Sequence, residues 1–151
     1  MNVALSSDHR GFNAKEQIKA YLKAAGHNVM DYGCDGPTSC DYPDTALVGA
    51  KSVASGESDR GILLCGTGIG TSIAANKVRG IRAALCHDEL TAEMSRRHND
   101  ANVLCLPADL LGDELIRRVV DIWLRTEYEG GRHDRRLQKI ADFEANGQLS
   151  T

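Results

Sequence analysis

The chain has 151 residues, 42% of them hydrophobic and 26% charged, and its formal net charge is −3. A chain of this length buries roughly two thirds of the surface that its unfolded form exposes, so we expect a single domain over residues 1–151. The mild acidity argues against nucleic-acid and membrane-surface partners, and the lack of a signal-peptide pattern or of a ~20-residue apolar run predicts a cytoplasmic protein.

The first half of the chain alternates short aliphatic runs with longer stretches of helical period. The aliphatic runs predict strands at residues 2–7, 28–33 and 61–65. Helices are predicted at residues 12–25 and 45–55, and a glycine follows each of these stretches. Residues 35–44 are dense in turn formers and are predicted to be a loop.

The second half continues this alternation. The pattern predicts strands at residues 81–86 and 102–107, and helices at residues 70–79, 89–98 and 112–127. A break that contains two glycines follows, and a final helix is predicted over about residues 132–146. Polar residues outnumber apolar residues in this last helix, so we expect it to pack on a partner subunit.

The alternation of strands and helices through five strands predicts an α/β fold, in which helices cover both faces of a five-stranded parallel sheet. The run GILLC at residues 61–65 is apolar throughout, as is typical of strands that are buried on both faces. In such sheets, ligands bind beyond the carboxyl ends of the strands. The residues that directly follow each strand are therefore the candidates for a functional site.

The loop CGTGIG at residues 65–70 is the first candidate. Its three glycines let the backbone approach a ligand closely, and a loop that leads into a helix directs several N–H groups at one point. Such a point holds an oxyanion and favours a thiolate at Cys65, which could act as a nucleophile or as a base. The alternative is a simple glycine turn with a core cysteine at the end of the strand.

A dinucleotide site is a second alternative for the glycine loop. The dinucleotide fingerprint is G-x-G-x-x-G, with an acidic residue about 20 residues further on. Here the spacing is G-x-G-x-G, although Asp88 lies at a strand end at a suitable distance. The loop follows the third strand and no second nucleotide-binding half follows it, which disfavours this interpretation.

The five cysteines do not indicate a disulfide framework or a structural zinc site. Their number is odd, and no two of them have C-x-x-C spacing. Cys86 and Cys105 lie at the ends of apolar runs, and we expect both to be small hydrophobic residues of the core.

Two pairs of polar residues have both a functional and a structural interpretation. Asp8 and His9 follow the first strand and could contact a sugar or a phosphate, or Asp8 could cap the next helix. His98 closes the fourth predicted helix and could be an acid or base near neutral pH, or a cation at the helix C-terminus. Asn99 beside it could equally be a helix C-cap.

Arg132 and Arg136 are four residues apart, so they share one face of the last helix. Two guanidinium groups on one face suit a phosphate group, although most clusters of this kind are solvated basic patches. Their place after the last strand, on a helix that we expect to contact a partner, favours the phosphate.

Five segments carry a combined resemblance to a known family. They are DHRGF after the first strand, DYP at 41–43, GILLCGTGIGTSIAANKVRGIRAAL at 61–85, SRRHNDANVL at 95–104 and YEGGRHDRR at 128–136. In this order they strongly resemble ribose-5-phosphate isomerase type B, the family that also holds the subunits of galactose-6-phosphate isomerase. The resemblance covers nearly the whole chain.

The resemblance implies a Rossmann-like three-layer αβα sandwich. It implies a homodimer, or sometimes a tetramer, whose active sites are shared between two subunits. It also implies an aldose–ketose isomerase that converts a sugar phosphate through an enediolate, with no metal and no organic cofactor.

The resemblance also implies a role for each matching residue. Cys65 matches the base that moves a proton between C1 and C2 of the open-chain sugar, Thr67 a hydroxyl that assists there, and His98 the residue that opens the furanose ring. The positions that match substrate-binding residues are Asp8, His9, Gly66, Gly68, Ile69, Gly70, Asn99, Arg132 and Arg136. The two arginines match residues that reach the phosphate from the neighbouring subunit.

One position departs from the family pattern. Family members usually carry an arginine near the phosphate after the fifth strand, and Asp109 stands at that position here. Because an anion beside a phosphate dianion is unfavourable, the departure leaves the sugar open. Ribose 5-phosphate and ribulose 5-phosphate are the expected pair. The alternatives are a tetrose 4-phosphate, an allose or galactose 6-phosphate, a sugar of another kind, and a relative that binds sugar phosphate without turning it over.

Overall fold

The computed structural model describes residues 1–148, which contain one sheet of five strands. In chain order the strands are β1 (Asn2–Ser7), β2 (Asn28–Asp31), β3 (Arg60–Cys65), β4 (Ala83–Leu85) and β5 (Val103–Pro107). Their order across the sheet is β2-β1-β3-β5-β4, and every pairing is parallel. The last three residues of the predicted domain lie outside the described part of the chain.

The described residues form six α-helices, which alternate with the strands as predicted. They are α1 (Phe12–Ala24), α2 (Tyr42–Ala54), α3 (Ile69–Ala75), α4 (Glu89–Asn99), α5 (Asp113–Arg125) and α6 (Asp134–Asn146). A 3-10 helix at Gly131–His133 leads directly into α6. None of the helices in residues 1–148 combines the length and the apolar character that crossing a bilayer requires.

Most helix ends lie within about two residues of the predicted ones, and two ends differ by more, each for a local reason. α2 begins at Tyr42 rather than at residue 45, because Pro43 fits the first turn of a helix, where its missing N–H is not needed. α3 ends at Ala75 rather than at residue 79. The amide side chain of Asn76 bonds to both backbone groups of Ala83 in β4, at 2.9 Å each, and this pairing turns the chain out of the helix.

Side chains alternate along the strands between two apolar clusters, one on each face of the sheet. Ile62 and Leu64 of β3 pack on one face, against residues of α1, α4 and α5. Leu63 packs on the other face, against residues of α2 and α3. All three side chains are fully buried. The predicted α/β sandwich with three layers is therefore confirmed.

The centre of the sheet positions the site. After β1 the chain forms β2 on one side of β1, and it then forms β3 on the other side of β1. This reversal of strand order opens a crevice beyond the carboxyl ends of β1 and β3. Ser7 is opposite Leu64 in the register of these strands, and the N–H of Asp8 donates to the carbonyl of Leu64 at 3.3 Å. The residues that follow β1 consequently lie beside the residues that follow β3.

The cysteines require one correction. Cys34 and Cys40 form a disulfide within the loop between β2 and α2, with Cα atoms 7.0 Å apart, although the sequence indicated no disulfide framework. The pairing depends on how this loop folds back, which its turn-forming residues do not reveal. Cys86 and Cys105 are buried as predicted, and burial raises the pKa of both thiols.

Helix α6 presents an apolar stripe to solvent. All of its residues are exposed or half-buried, and Ile140 and Phe143 are 55% and 54% exposed. Its link to the sheet layer includes the Glu144 carboxylate, which accepts the N–H of Gly80 at 3.0 Å. The helix is thus placed along the edge near β4 with much of its surface uncovered.

Candidate active site

A cavity of about 270 Å³ lies beyond the carboxyl ends of β1 and β3. We call it the Cys65 cavity, and its lining residues are Asp8, Arg10, Tyr42, Cys65, Gly66, Thr67, Gly70 and Asp109. The sequence assigned a role to Asp8 and to the loop residues in this set. It assigned none to Arg10 or Tyr42, although both stand in segments that carry the family resemblance.

Cys65 ends β3 with its thiol held by the loop that follows. The residue is 5% exposed, and its sulfur accepts a hydrogen bond from the N–H of Gly68 at 3.1 Å. The hydroxyl oxygen of Thr71 lies 3.5 Å from the same sulfur, and that hydroxyl donates to the carbonyl of Gly68 at 3.0 Å. An N–H aimed at sulfur stabilises negative charge there, so the arrangement suits a thiolate that takes up a proton.

Two glycines of the loop are needed because other side chains pass directly over them. A Cβ on Gly66 would lie 2.6 Å from a carboxylate oxygen of Asp109 and 2.8 Å from Nε of Arg10. A Cβ on Gly70 would lie 2.7 Å from the ring of Tyr42. The absence of a side chain at these two positions therefore leaves room for Arg10, Tyr42 and Asp109 to pack near the thiol.

The remaining loop residues contribute mainly through their backbone. Gly68 has φ +74, a left-handed conformation that favours glycine. Thr67 is exposed at the mouth of the cavity, and its hydroxyl accepts the N–H of Ile69 at 3.4 Å, while the side chain of Ile69 faces solvent. No acceptor for the N–H of Gly66 or of Thr67 is found among residues 1–148, so both amides are available to an oxyanion.

Asp8 lies in the turn between β1 and α1. Its carboxylate accepts the N–H groups of Arg10 and Gly11 at 3.0 Å each, which orders this turn, and the residue also lines the Cys65 cavity. It is not the helix cap that the sequence offered as one interpretation, because Gly11 is the N-cap of α1 and no side chain caps that helix. His9 turns towards the disulfide loop instead. Its Nδ1 lies 3.2 Å from the carbonyl oxygen of Cys40, and it is not among the residues that line the cavity.

Arg10 and Asp109 form an ion pair across the mouth of the Cys65 cavity. Nε of Arg10 donates to Oδ2 of Asp109 at 2.6 Å, and Nη2 lies 2.5 Å from the same oxygen. This pairing raises the pKa of Arg10. The anion at position 109, where the family resemblance led us to expect a cation, is therefore neutralised by a cation 99 residues away in sequence. Only the three-dimensional pairing reveals this, because the two residues lie in separate segments and neither segment indicates the other as its partner.

Four side chains form a second group, at the end of α4 and the start of α6, which we call the histidine–arginine cluster. Its members are His98, Arg132, His133 and Arg136. The rings of His98 and His133 stack with centroids 4.4 Å apart, and each arginine has a nitrogen 3.4 Å from the His133 ring. Burial and the neighbouring cations lower the pKa of His133. The sequence analysis gave no role to His133, although its ring lies next to the side chains of the other three residues.

The cluster lies apart from the thiol in this chain. None of its members is among the residues that line the Cys65 cavity, and two of them, Arg132 and His133, instead line a separate cavity of about 290 Å³. The predicted catalytic and phosphate-binding residues thus fall into two groups within one chain. Either group alone holds only part of the set that the family resemblance implies.

His98, Glu129 and His133 bring three possible metal-ligating atoms within 4.8 Å of one another. An imidazole ligates a metal through a lone pair in the plane of its ring. The two rings are nearly parallel, with an interplanar angle of 12°, so their lone pairs do not converge on one point. Nε2 of His98 lies 3.6 Å from the Glu129 carboxylate, a geometry that fits an oriented acid or base better than a metal centre.

Asn99 is the last residue of α4, so the next residue occupies the C-cap position that the sequence offered for Asn99. Asp100 is the C-cap and has φ 44, held by ion pairs to Arg96 at 2.8 Å and Arg82 at 3.0 Å. Asn99 itself lines a cavity of about 340 Å³ beneath α6. It is therefore near the histidine–arginine cluster in sequence and outside the Cys65 cavity.

Asp88, the residue that a dinucleotide site would require, has a structural role. It is the N-cap of α4, and its carboxylate accepts the N–H of Thr91 at 2.7 Å. Its strand, β4, is at the edge of the sheet, and β5 separates it from β3. The geometry gives the dinucleotide interpretation no support.

Comparison with known proteins identifies the family. The Ribose/Galactose Isomerase family model matches residues 3–140. Ribose-5-phosphate isomerase B of Escherichia coli is 47% identical over 142 residues, which are 94% of this chain and 95% of that protein.

Two solved structures agree with that assignment. Ribose-5-phosphate isomerase B of Clostridium thermocellum superposes with a TM-score of 0.96 at 50% identity, covering 98% of this chain and 100% of that one. The Mycoplasma genitalium protein of the same name, with bound ribulose-5-phosphate, gives a TM-score of 0.92 at 43% identity, covering 96% of this chain and 97% of that one. With its parallel sheet, its cysteine at the end of β3 and its glycine loop, the chain belongs to the ribose/galactose isomerase family.

Proposed function

We propose that this chain is a sugar phosphate isomerase that interconverts ribose 5-phosphate and ribulose 5-phosphate. The observation that carries the proposal is the Cys65 thiol in one cavity with the free amides of Gly66 and Thr67. The names of the similar proteins, and the ribulose-5-phosphate bound to one of them, support this choice of sugar.

The reaction requires a base at an acidic carbon and stabilisation of negative charge on oxygen. The Cys65 thiolate removes the proton from C2 of the open-chain aldose, and the electron pair of that C–H bond forms the enediolate with its charge on O1. The amides of Gly66 and Thr67 hold this charge. A proton passes from O2 to O1, assisted by the Thr67 hydroxyl, and the thiol returns its proton to C1 to give the ketose.

The complete site is assembled from two chains in this proposal. One subunit supplies the Cys65 cavity, and its partner supplies the histidine–arginine cluster together with Asn99. His98 then donates a proton to the furanose ring oxygen as the bond between that oxygen and C1 breaks, and the O1 hydroxyl releases its proton to water as the aldehyde forms. Arg132 and Arg136 hold the phosphate. The separation of the two groups within one chain supports this assembly.

Helix α6 is the element that we propose to dock on the partner subunit in a homodimer or tetramer. Its exposed Ile140 and Phe143 provide apolar surface for such a contact. We further propose that the enzyme acts in the cytoplasm, in the carbohydrate metabolism of pentose phosphates, without a cofactor.

A second candidate is isomerisation of a different sugar phosphate, such as a tetrose 4-phosphate or an allose or galactose 6-phosphate. The Asp109 carboxylate in the lining of the Cys65 cavity favours it, because a changed charge pattern there alters where a phosphate can sit. A relative that binds sugar phosphate without turnover would keep the same cavity.

Turnover of four-, five- and six-carbon aldose phosphates, with the unphosphorylated sugars as controls, tests the function. We expect kcat/KM to be highest for ribose 5-phosphate by about tenfold or more, since one carbon unit changes transition-state binding by that order. A higher value for another sugar phosphate would support the second candidate. Calorimetric binding of ribose 5-phosphate without turnover of any sugar would contradict an enzymatic role.

Subunit exchange tests the shared site. Arg132→Ala and Cys65→Ala variants should each be inactive alone at low substrate concentration, because each lacks one half of every site. Mixed, they should recover about a quarter of the wild-type activity, since half of the resulting two-fold dimers are hybrids with one intact site. As the control, each variant is taken through the same subunit-exchange procedure without the other variant. The absence of any recovery would show that each site is built within one chain.

A further inference from the structure

We propose that Arg10 binds the phosphate group of the substrate and that Asp109 positions the guanidinium for this contact. The inference rests on the proposed function, because it takes a sugar phosphate as the ligand of the Cys65 cavity. It assigns to this chain a specificity-determining cation on the side of β1, in addition to the arginines proposed to come from the partner subunit.

The charges that line the cavity show why a cation is needed there. Of the eight lining residues, Asp8 and Asp109 are carboxylates and Arg10 is the sole lysine or arginine. The Asp8 carboxylate is already bound to two backbone N–H groups. Without Arg10, a phosphate dianion would enter a cavity that carries two negative charges, and like charges at such short range strongly disfavour binding.

The guanidinium has one edge bound and one edge free. Nε and Nη2 both point at Oδ2 of Asp109, at 2.6 Å and 2.5 Å, so the carboxylate occupies the side edge of the group. The end edge, formed by the two Nη atoms, includes Nη1, for which residues 1–148 offer no partner. Two parallel N–H groups on this edge match two oxygens of a phosphate.

The pair is tied to the loop that carries the reactive thiol. The N–H of Asp109 donates to the carbonyl of Gly66 at 3.0 Å, and the N–H of Ala108 donates to the carbonyl of Cys65 at 2.8 Å. The Arg10 side chain is 60% exposed and that of Asp109 is 34% exposed, so the guanidinium lies on the open side of the pair. Asp109 therefore fixes the distance between the cation and Cys65.

The same geometry allows the positions of the cation and of the carboxylate to be tested by substitution at residues 10 and 109. Both side chains approach the space above Gly66, one from the end of β1 and the other from the segment after β5. A guanidinium attached at position 109 would reach the same part of the cavity as one attached at position 10. The variant Arg10→Ala/Asp109→Arg should therefore restore the cation that Arg10→Ala removes.

Steady-state kinetics with ribose 5-phosphate, and with inorganic phosphate as a competitive inhibitor, test the proposal. For Arg10→Ala we expect KM and the phosphate inhibition constant both to rise about 10–100-fold, as for a lost hydrogen-bonded charge contact. We expect kcat to stay within about threefold, because this contact is the same in the ground state and the transition state. Arg10→Lys should lie between Arg10→Ala and the wild type.

Matched variants separate binding from folding and from general charge effects. The exchange variant should return KM to within about fivefold of the wild type, since the charge and its reach are restored. Asp109→Ala should raise KM several-fold, and a lower KM would overturn its positioning role. Arg118→Ala, which removes an exposed arginine of α5 paired with Glu89, should leave KM unchanged.

The outcome for Arg10 can be told apart from the outcome for the proposed function. If the wild type turns over ribose 5-phosphate and Arg10→Ala leaves KM and phosphate inhibition unchanged, the proposal for Arg10 is wrong. If the wild type turns over no sugar phosphate, the proposed function fails. In that case, calorimetric titration with inorganic phosphate of the wild type and of Arg10→Ala decides the role of Arg10. Equal phosphate affinities of the two proteins would show that the proposed role is wrong.

Discussion

Replacing Cys65 with alanine should lower kcat for ribose 5-phosphate by about 10²–10⁴-fold, the range expected when a general base is removed. The sulfur sits under the N–H of Gly68 at 3.1 Å, at the end of the strand that opens into the cavity. The amides and the charged residues around it are unchanged by the substitution. Binding of ribose 5-phosphate, measured by calorimetry, should therefore stay close to that of the wild type.

Cys86→Ala is the matched control for this result. Cys86 is also a buried cysteine at the end of a strand segment, but it does not line the Cys65 cavity. It should lose some stability through the small cavity that it leaves, and keep its kcat. Equal kcat values for Cys65→Ala and the wild type would rule out the thiol as the base, and a parallel loss in both variants would point to damaged packing.

Replacing Gly68 with alanine should have the largest effect on folding of the changes considered. Its φ of +74 costs an L-residue about 1–2 kcal/mol, and the new Cβ would meet the side chain of Leu85 and lie 3.1 Å from the carbonyl carbon of Leu106. Together with overpacking, the free energy of unfolding should fall by about 2–5 kcal/mol. Denaturant unfolding measures this loss.

The same substitution should also reduce catalysis in the molecules that fold. The N–H of Gly68 is the donor to the Cys65 sulfur, so a shift of the loop misplaces the base. A misplacement of this kind lowers kcat by about 10²-fold. Gly26→Ala is the control, because Gly26 has φ +83 with nothing within 4 Å of a Cβ, and it should cost only about 1–2 kcal/mol with kcat unchanged. Equal stability losses in the two variants would contradict the packing argument.

The elements of the sheet were predictable because their signals are local. A strand such as GILLC at residues 61–65 is apolar at every position, and the structure buries Ile62, Leu63 and Leu64 completely, between helices on both faces. The end of α3 was less predictable. It depends on the amide of Asn76 bonding to Ala83 in another element, and such a contact leaves no periodic pattern in the sequence.

The residues of the candidate site also differ in whether their signal in the sequence is local. Cys65 and the glycines were found from the sequence, because a thiol and a bare backbone loop are contiguous and follow a strand directly. Arg10 was missed, since its meaning depends on a carboxylate 99 residues away. His133 was missed in the same way, because its stacking on His98 joins α4 to the start of α6.

The sequence by itself determined the fold class, and it predicted the chemistry that we propose for the loop CGTGIG. Both follow from short-range patterns: the alternation of apolar runs with helical periods, and glycines next to a cysteine. The tertiary structure alone decided the charge of the cavity, because the effect of Asp109 depends on the guanidinium that packs against it. It also decided that Cys65 and His98 belong to separate groups, since distances between elements are set by packing and not by order along the chain.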